Sequence, residues 1–363
     1  MQLGECVAKC DQIARALLKP DTKSNLQLIY LAKGIRATTA IEGNTLTEEE
    51  VRNIIEEKAD IPPSKEYLEQ EIKNVLKACN IISGHIRENI DVTINPEKIC
   101  DYNSIILENL QLSENVEPGK YRKHSVSVGR YLAPSAVEVP LLMARLSEWL
   151  NSDDFKTDKN TNPVAIAIIK AIVAHIYIAW IHPFGDGNGR TARLIEFKIL
   201  AQSGVPLPAA HLLSNHYNNT RTEYYTQLDK TSKSGGEIAH FISYAVPGLL
   251  DGLNDQLSLI REQQIEVVME NYIHEKFRDK PGETWRRRRH LALDLLSVNE
   301  PVKKEEIPLI SKRVNEAYKN KGARAISRDL AILESMELII STHEGYKVNY
   351  TPLVEFLPAK KGE

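Results

Sequence analysis

The 363-residue chain holds only four cysteines, Cys6, Cys10, Cys79 and Cys100, with no C-x-x-C pair among them. That is too few for a disulfide framework and the wrong spacing for sulfur ligation of a metal, so a reducing, cytoplasmic compartment is expected. Net charge is nearly absent: 46 Lys and Arg against 49 Asp and Glu leave −3. No whole-molecule field draws such a chain to nucleic acid or to an anionic membrane, so any such binding has to be local. No internal repeat of fixed period is present, and no low-complexity tract exceeds the run Arg286 to Arg289. The first residues include Glu5, Lys9 and Asp11, which interrupt any apolar segment long enough for a secretory signal. One run, Val164 to Ile181, approaches a membrane span in length, but Lys170 and His175 fall inside it. A central Lys costs about 2.5–3.5 kcal/mol on insertion scales. The run therefore reads as a helix buried in a protein core, with no membrane as partner.

What the chain does have is helical periodicity. Its 42% apolar and 26% charged residues are those of a water-soluble globular protein, and its length suits two domains of roughly 150 residues each. Residues 22 to 41 set Leu26, Ile29, Tyr30, Lys33, Ala37 and Ile41 on one face, with Gly43-Asn44 as the stop. Thr47 to Glu50 form a capping box ahead of Val51, Ile54 and Ile55. Further helices are predicted over 65–88, 96–109, 140–150, 163–181, 188–203, 216–232 and 237–277; Asn95-Pro96 and Asn162-Pro163 announce two of them. Residues 113–140 are rich in Gly, Pro and Ser. Within them Ser125 to Gly129 alternates at a strand's period, and a second extended piece over 136–139 completes an expected β-hairpin. The turn-forming stretch 278–285 predicts a domain boundary near residue 280.

Chemistry concentrates in His182-Pro183-Phe184-Gly185-Asp186-Gly187-Asn188-Gly189-Arg190-Thr191-Ala192-Arg193. Three glycines let the backbone turn sharply and approach a ligand. The chain then enters a helix, whose first amides point at an anion. Arg190 and Arg193 project from the first turn as forks for phosphate oxygens. Asp186 is a hard carboxylate of the kind that holds Mg²⁺ jointly with a phosphate chain. His182, with an ordinary pKa of about 6.5, is a proton acceptor at neutral pH. Base, carboxylate, anion cradle and cations together describe phosphoryl or nucleotidyl transfer. The glycines do not fit G-x-G-x-x-G, the preceding element is helical and G-K-[ST] is missing, so Rossmann and P-loop readings are set aside.

The string matches H-P-F-x-[DE]-G-N-G-R-x-x-R at every fixed position and so resembles the Fic domain family, whose typical members transfer AMP from ATP to a protein hydroxyl. Pro118 to Arg122 and the strand after them resemble that family's entry into its hairpin flap. The resemblance implies a mainly α fold, with a Fic-type helical core over 95–277 carrying a small β-hairpin flap. It implies His182 as general base, Asp186 as the Mg²⁺ ligand, and Gly187, Asn188, Gly189 and Arg190 as phosphate binders, with Arg193 on the γ-phosphate of ATP. Upstream, Thr38 to Gly43 fits [ST]-x-x-x-E-[GN], the inhibitory motif of the subgroup with an N-terminal repressing helix. Residues 1–94 are then the region carrying that helix, and Glu42 would take Arg193 away from ATP. Tyr224 and Tyr225 resemble an aromatic pair beside the adenine. Adjacent helical positions face different ways, so one of them, Tyr225, is assigned to the nucleotide. An extended segment of a protein substrate would pair with the flap edge and present a Ser, Thr or Tyr hydroxyl. Family members also transfer UMP or phosphocholine, or remove AMP, and the loop does not separate these. The sequence leaves a homodimer open.

Between Lys276 and Arg328 stand 15 basic and 7 acidic residues. Helices over 286–297, 303–310 and 325–333 and a hairpin across Ile339 to Val348 resemble a winged helix-turn-helix over 281–363. Ser327 and Arg328 then lie on its third helix and duplex DNA is a candidate partner. The alternative function is a DNA-binding regulator whose Fic core senses nucleotide.

Overall fold

Side-chain caps fix where several helices begin. Thr47 Oγ1 accepts from the Glu50 amide at 3.2 Å and Glu50 Oε2 from the Thr47 amide at 2.7 Å, starting a helix at Glu48. Asn95 Oδ1 accepts from the Lys98 amide at 2.8 Å and Asn162 Oδ1 from the Val164 amide at 2.9 Å, each with proline in the first turn. The computed structural model describes residues 1–90, 93–128, 131–157, 161–298 and 300–354. Its helices run α1 (Gln2–Ala14), α2 (Pro20–Ile41), α3 (Glu48–Ile55), α4 (Glu66–Arg87), α5 (Pro96–Ile106), α6 (Val139–Leu150), α7 (Pro163–Ile181), α8 (Asn188–Gln202), α9 (Leu212–Asn219), α10 (Arg221–Lys233) and α11 (Ala239–Lys276).

The chain divides into two compact units, Met1–Ser258 and Leu259–Glu363. In the first, α7 packs against α1, α6 and α8, and α2 lies against α3, α4, α8 and α9. Among the described residues α7 alone is long and apolar enough to cross a membrane; Ile168, Ala171, Ile172, Ala174 and Ile176 on it are fully buried within the unit. The residues read as one helix over 216–232 are two, broken at Thr220, whose φ of −117° and ψ of 39° leave the helical range. The hairpin also differs from expectation. Strand β1 (Ser127–Val128) pairs antiparallel with β2 (Tyr131–Leu132), not with 136–139, of which 136–138 form the turn into α6 and Val139 begins it. Gly129 lies outside the described residues. Before β1, Tyr121 bridges Phe184, and the Arg122 amide donates to the Pro183 carbonyl at 2.9 Å.

The second unit holds α12 (Glu283–Leu296), α13 (Lys312–Tyr318), α14 (Ala323–Ser335), the antiparallel strands β3 (Ile339–Ser341) and β4 (Tyr346–Val348), and α15 (Thr351–Val354). The division falls near 258 rather than in the 278–285 stretch. Met269 and Ile273, on the last turns of α11, and Phe277 just after it share one apolar cluster with Leu291, Leu295, Leu330 and Leu333. The helix expected over 303–310 is instead a single 3-10 turn at Ile307–Leu309. Val302 pairs with Tyr346 beside the hairpin, and Ser311 caps α13 by accepting from the Val314 amide. Two cations of the Arg286 to Arg289 run turn inward. Asp329, wholly buried, accepts from Arg287 Nε at 2.8 Å, Arg288 Nε at 2.7 Å and the Tyr318 hydroxyl at 2.9 Å.

Candidate active site

His182 ends α7 in the left-handed region, at φ 47° and ψ 60°, which turns the chain out of the helix. Arg122 secures that corner. Almost fully buried, it donates to the carbonyls of His182 (2.7 Å), His124 (2.8 Å) and Pro134 (2.6 Å), joining the helix end to the segment that carries β1 and β2. His182 Nδ1 lies 3.3 Å from the Ala179 carbonyl. A carbonyl only accepts, so Nδ1 carries the proton and Nε2 the lone pair. Burial lowers the His182 pKa below its usual value and Arg122 adds to this, against the Ala179 contact, Glu42 and Asp186, which raise it. The ring is therefore neutral at pH 7, as a general base requires.

The loop after it is braced from within. The Asn188 side chain exchanges two 2.9 Å hydrogen bonds with the backbone N–H and carbonyl of Phe184, so its amide is spent on the turn. Gly187 has φ +75°, and a Cβ there would come within 2.9 Å of Asn103 Nδ2. Asn103, fully buried on α5, donates to the Asp186 carbonyl at 3.0 Å and accepts from the Gly119 amide at 3.0 Å. Neither Arg122 nor Asn103 is assigned a role from the sequence, because the loop residues they hold, His182 and Asp186, lie 60 and 83 residues away.

Glu42, the C-cap of α2, sits where an anion is expected. Its Oε1 would touch a Cβ built on Gly189 at 2.1 Å, so the carboxylate lies against the first turn of α8, and only glycine leaves it room. There it accepts from Arg193 Nη2 at 2.5 Å. Arg193 is held from α2 twice more, by Thr38 Oγ1 at 2.8 Å and the Thr38 carbonyl at 2.9 Å. Burial by itself would raise the Glu42 carboxyl; the Arg193 guanidinium overrides it, with Arg190 and His182 adding, and holds the group below the usual carboxylate range.

His182, Gly189, Arg193 and Glu42 line one cavity of about 560 Å³, closed by Tyr131, Trp180, Tyr224, Tyr225 and Lys233. Of the two tyrosines, Tyr225 is 42% exposed, while Tyr224 is buried with its hydroxyl 2.9 Å from His175 Nε2. Arg190 does not line this cavity. Its Nη1 donates to Glu71 Oε1 at 2.7 Å, and its Nη2 lies 3.2 Å from Asp186 Oδ1. Asp186 itself is half-exposed. Among the described residues no group of three or more His, Cys, Asp or Glu could hold a metal alone. One hard carboxylate at the rim of an anion cradle fits a cation whose other ligands are phosphate oxygens and water.

Residues 93–200 match the sequence profile of the Fic/DOC family. That stretch, which contains the loop from His182 to Arg193, is similar to a Fic domain. It is 31% identical over 232 residues to the Drosophila melanogaster protein named Protein adenylyltransferase Fic, covering 63% of this chain and 41% of that one. The relative of the same name from Drosophila ananassae is 31% identical over 243 residues, 66% of this chain and 43% of its own. The chain thus spans less than half the length of these curated relatives. Among solved structures, Fic-1 from C. elegans is 25% identical, with a TM-score of 0.54 over 71% of this chain and 70% of that one. A Fic family protein from Desulfovibrio desulfuricans, 21% identical, shares the fold over 100% of this chain and 97% of its own, with a TM-score of 0.56.

Proposed function

We propose that this Fic domain moves AMP from ATP to a Ser, Thr or Tyr hydroxyl of a protein substrate, and that Glu42 on α2 holds the transfer in check. One observation carries the reading: a neutral imidazole and a helix-terminal anion cradle share one cavity, and a carboxylate of the same chain already stands in that cradle, paired with Arg193. In the transfer, His182 Nε2 takes the hydroxyl proton as the oxygen bonds to the α-phosphorus. The bond to the bridging oxygen breaks and pyrophosphate leaves. Asp186 would hold the Mg²⁺ that enters with the triphosphate and neutralises its charge. The amides of Asn188 and Gly189 would face the phosphates, and Tyr225 the base; the Gly187 amide, expected among the phosphate binders, instead donates to Asp186 Oδ1 at 2.5 Å. Arg193 can pair with the γ-phosphate only after Glu42 leaves it, which supports membership in the subgroup with an N-terminal inhibitory helix. The β1–β2 pair, joined to the His182 corner through Arg122, supports a flap on which an extended peptide docks. The free thiols support a reducing, cytoplasmic setting.

Mass spectrometry after incubation with ATP and Mg²⁺ tests both parts. The Glu42→Gly protein gains AMP on itself at least tenfold faster than the parent, which corresponds to about 1.4 kcal/mol or more of closed pairing. Adding His182→Ala removes the gain. Equal rates with and without Glu42 remove the brake, and a gain of phosphate alone changes the reaction class.

A second observation favours a further partner for the other unit. Lys321, Arg324 and Arg328 line a concavity at the start of α14. With the Val302-extended hairpin they support a winged helix reading, and duplex DNA as a ligand whose binding falls steeply as salt rises.

A further inference from the structure

The two arginines of the Fic loop have different surroundings. Arg193 faces the cavity and meets Glu42 there. Arg190 is buried, does not line the cavity, and lies between two carboxylates, Glu71 Oε1 at 2.7 Å and Asp186 Oδ1 at 3.2 Å. The second Glu71 oxygen accepts from Asn44 Nδ2 at 2.8 Å, and Asn44 also donates to the Leu68 carbonyl at 3.0 Å. Asn44 stands two residues beyond Glu42. Glu71, on α4, thus binds an N–H donor with each oxygen: one on the Fic loop, the other on the turn that follows the brake helix.

We propose that Glu71 is a positioning residue which, acting through Arg190, orients the Asp186 carboxylate toward the metal ion of the nucleotide. The inference rests on the reading of Asp186 as the metal-holding carboxylate. Asp186 is half-exposed on a glycine-flanked turn, and its Oδ1 accepts both from the Gly187 amide at 2.5 Å and from the Arg190 side chain at 3.2 Å, which together orient it. Arg190 in turn has a long side chain that needs an anchor, and Glu71 supplies it from a different helix. Carboxylates that hold metals are commonly oriented by such outer partners, and losing one lowers metal affinity roughly 10–100-fold.

The near-isosteric change Glu71→Gln separates this role from bulk packing. Both neighbours of Glu71 are donors, so an amide must turn its own NH₂ against either Arg190 or Asn44 and cannot satisfy both. In the Glu42→Gly background, Glu71→Gln raises the Mg²⁺ concentration for half-maximal transfer about tenfold or more. The rate at saturating Mg²⁺ changes little. Calorimetric titration of Mn²⁺ into the protein with a non-hydrolysable ATP analogue weakens by the same factor, and this readout does not depend on transfer. Asn44→Ala, which leaves the Arg190 contact in place, does not move the metal dependence of the folded protein.

An unchanged Mn²⁺ affinity in Glu71→Gln, with only a lower melting temperature, overturns the proposal. So does an Asn44→Ala variant that reproduces the metal effect, because the route would then run through the brake turn. A Glu42→Gly parent that binds Mn²⁺ with the analogue but transfers no AMP overturns the transfer reading and leaves Glu71 standing. A parent that binds no Mn²⁺ overturns the metal role of Asp186 and this inference together.

Discussion

Each unit of the chain pairs buried arginine with a carboxylate, and the two arrangements are built to opposite ends. In the first unit, Arg193 is 1% exposed but the Glu42 side chain is 32% exposed, open to a cavity on one side. In the second, Asp329 has no exposure and takes two guanidiniums, Arg287 and Arg288, together with the Tyr318 hydroxyl. A pair with one wet side can be opened by a ligand that offers the arginine a better anion, and the departing carboxylate finds water. A sealed pair has no such exit, because removing either partner strands a buried charge. The first geometry suits a switch and the second a clasp.

The sharpest way to break that contrast is Asp329→Ala. It leaves two buried guanidiniums without their anion, and is expected to cost the second unit about 3–5 kcal/mol. Amide hydrogen exchange in α12 and α14 reads the loss directly. A cost below about 1 kcal/mol, the usual value of an exposed ion pair, would mean that the cluster is hydrated in solution and is no clasp.

The clasp also explains what the sequence hid. A run of four arginines counts as surface charge until their partners are known, and Asp329 lies about 40 residues downstream with nothing local to announce it. The same holds at the active site. His182, Gly189 and Arg193 stand out because one twelve-residue string holds them, and Glu42 because a short motif marks it; Arg190, expected from the same string on the phosphates, is instead paired with Glu71 and Asp186 outside the cavity lining. Glu71, Asn103 and Arg122 do not stand out, since each is a lone polar residue whose acceptors and donors the fold alone brings near. Caps were read well at Thr47, Asn95 and Asn162, where donor and acceptor are two or three residues apart. The hairpin's return strand was misplaced because two-residue strands carry almost no periodic signal.

A smaller change tests whether the seat of α2 and the Glu42–Arg193 contact form one device. A Cβ on Gly34 would lie 2.3 Å from the His211 ring, itself stacked on Phe197 at 4.3 Å between centroids and closed in by core. Gly34→Ala, favourable by helix propensity alone, therefore forces α2 away from α9, at about 1–3 kcal/mol. Gly34 is two helical turns before Glu42 and touches nothing in the cavity. If seating and pairing are coupled, self-modification rises severalfold while the melting temperature falls. A destabilised protein with the parent's rate would show that Glu42 reaches Arg193 however its helix is seated.

The smallest expected effect concerns pH, and its sign follows from the wet side of the Glu42 pair. At the ordinary His pKa of 6.5 the ring would already be about three-quarters neutral at pH 7. Burial lowers the His182 value further, so transfer by Glu42→Gly is expected to gain less than about 1.3-fold between pH 7 and 8 and to fall only below 6.5. Glu42 is one of the groups that raise the His182 pKa, so deleting it moves the acid limb of the rate profile to still lower pH than in the parent. The Glu42 carboxyl is itself held below its usual range by Arg193, and so stays charged in mild acid. Mild acid therefore leaves the proposed brake charged, and the parent is expected to show no burst of activity on the acid side. A limb that moves upward in Glu42→Gly, or a parent activated by mild acid, would mean that Glu42 and His182 do not share one cavity in the working protein.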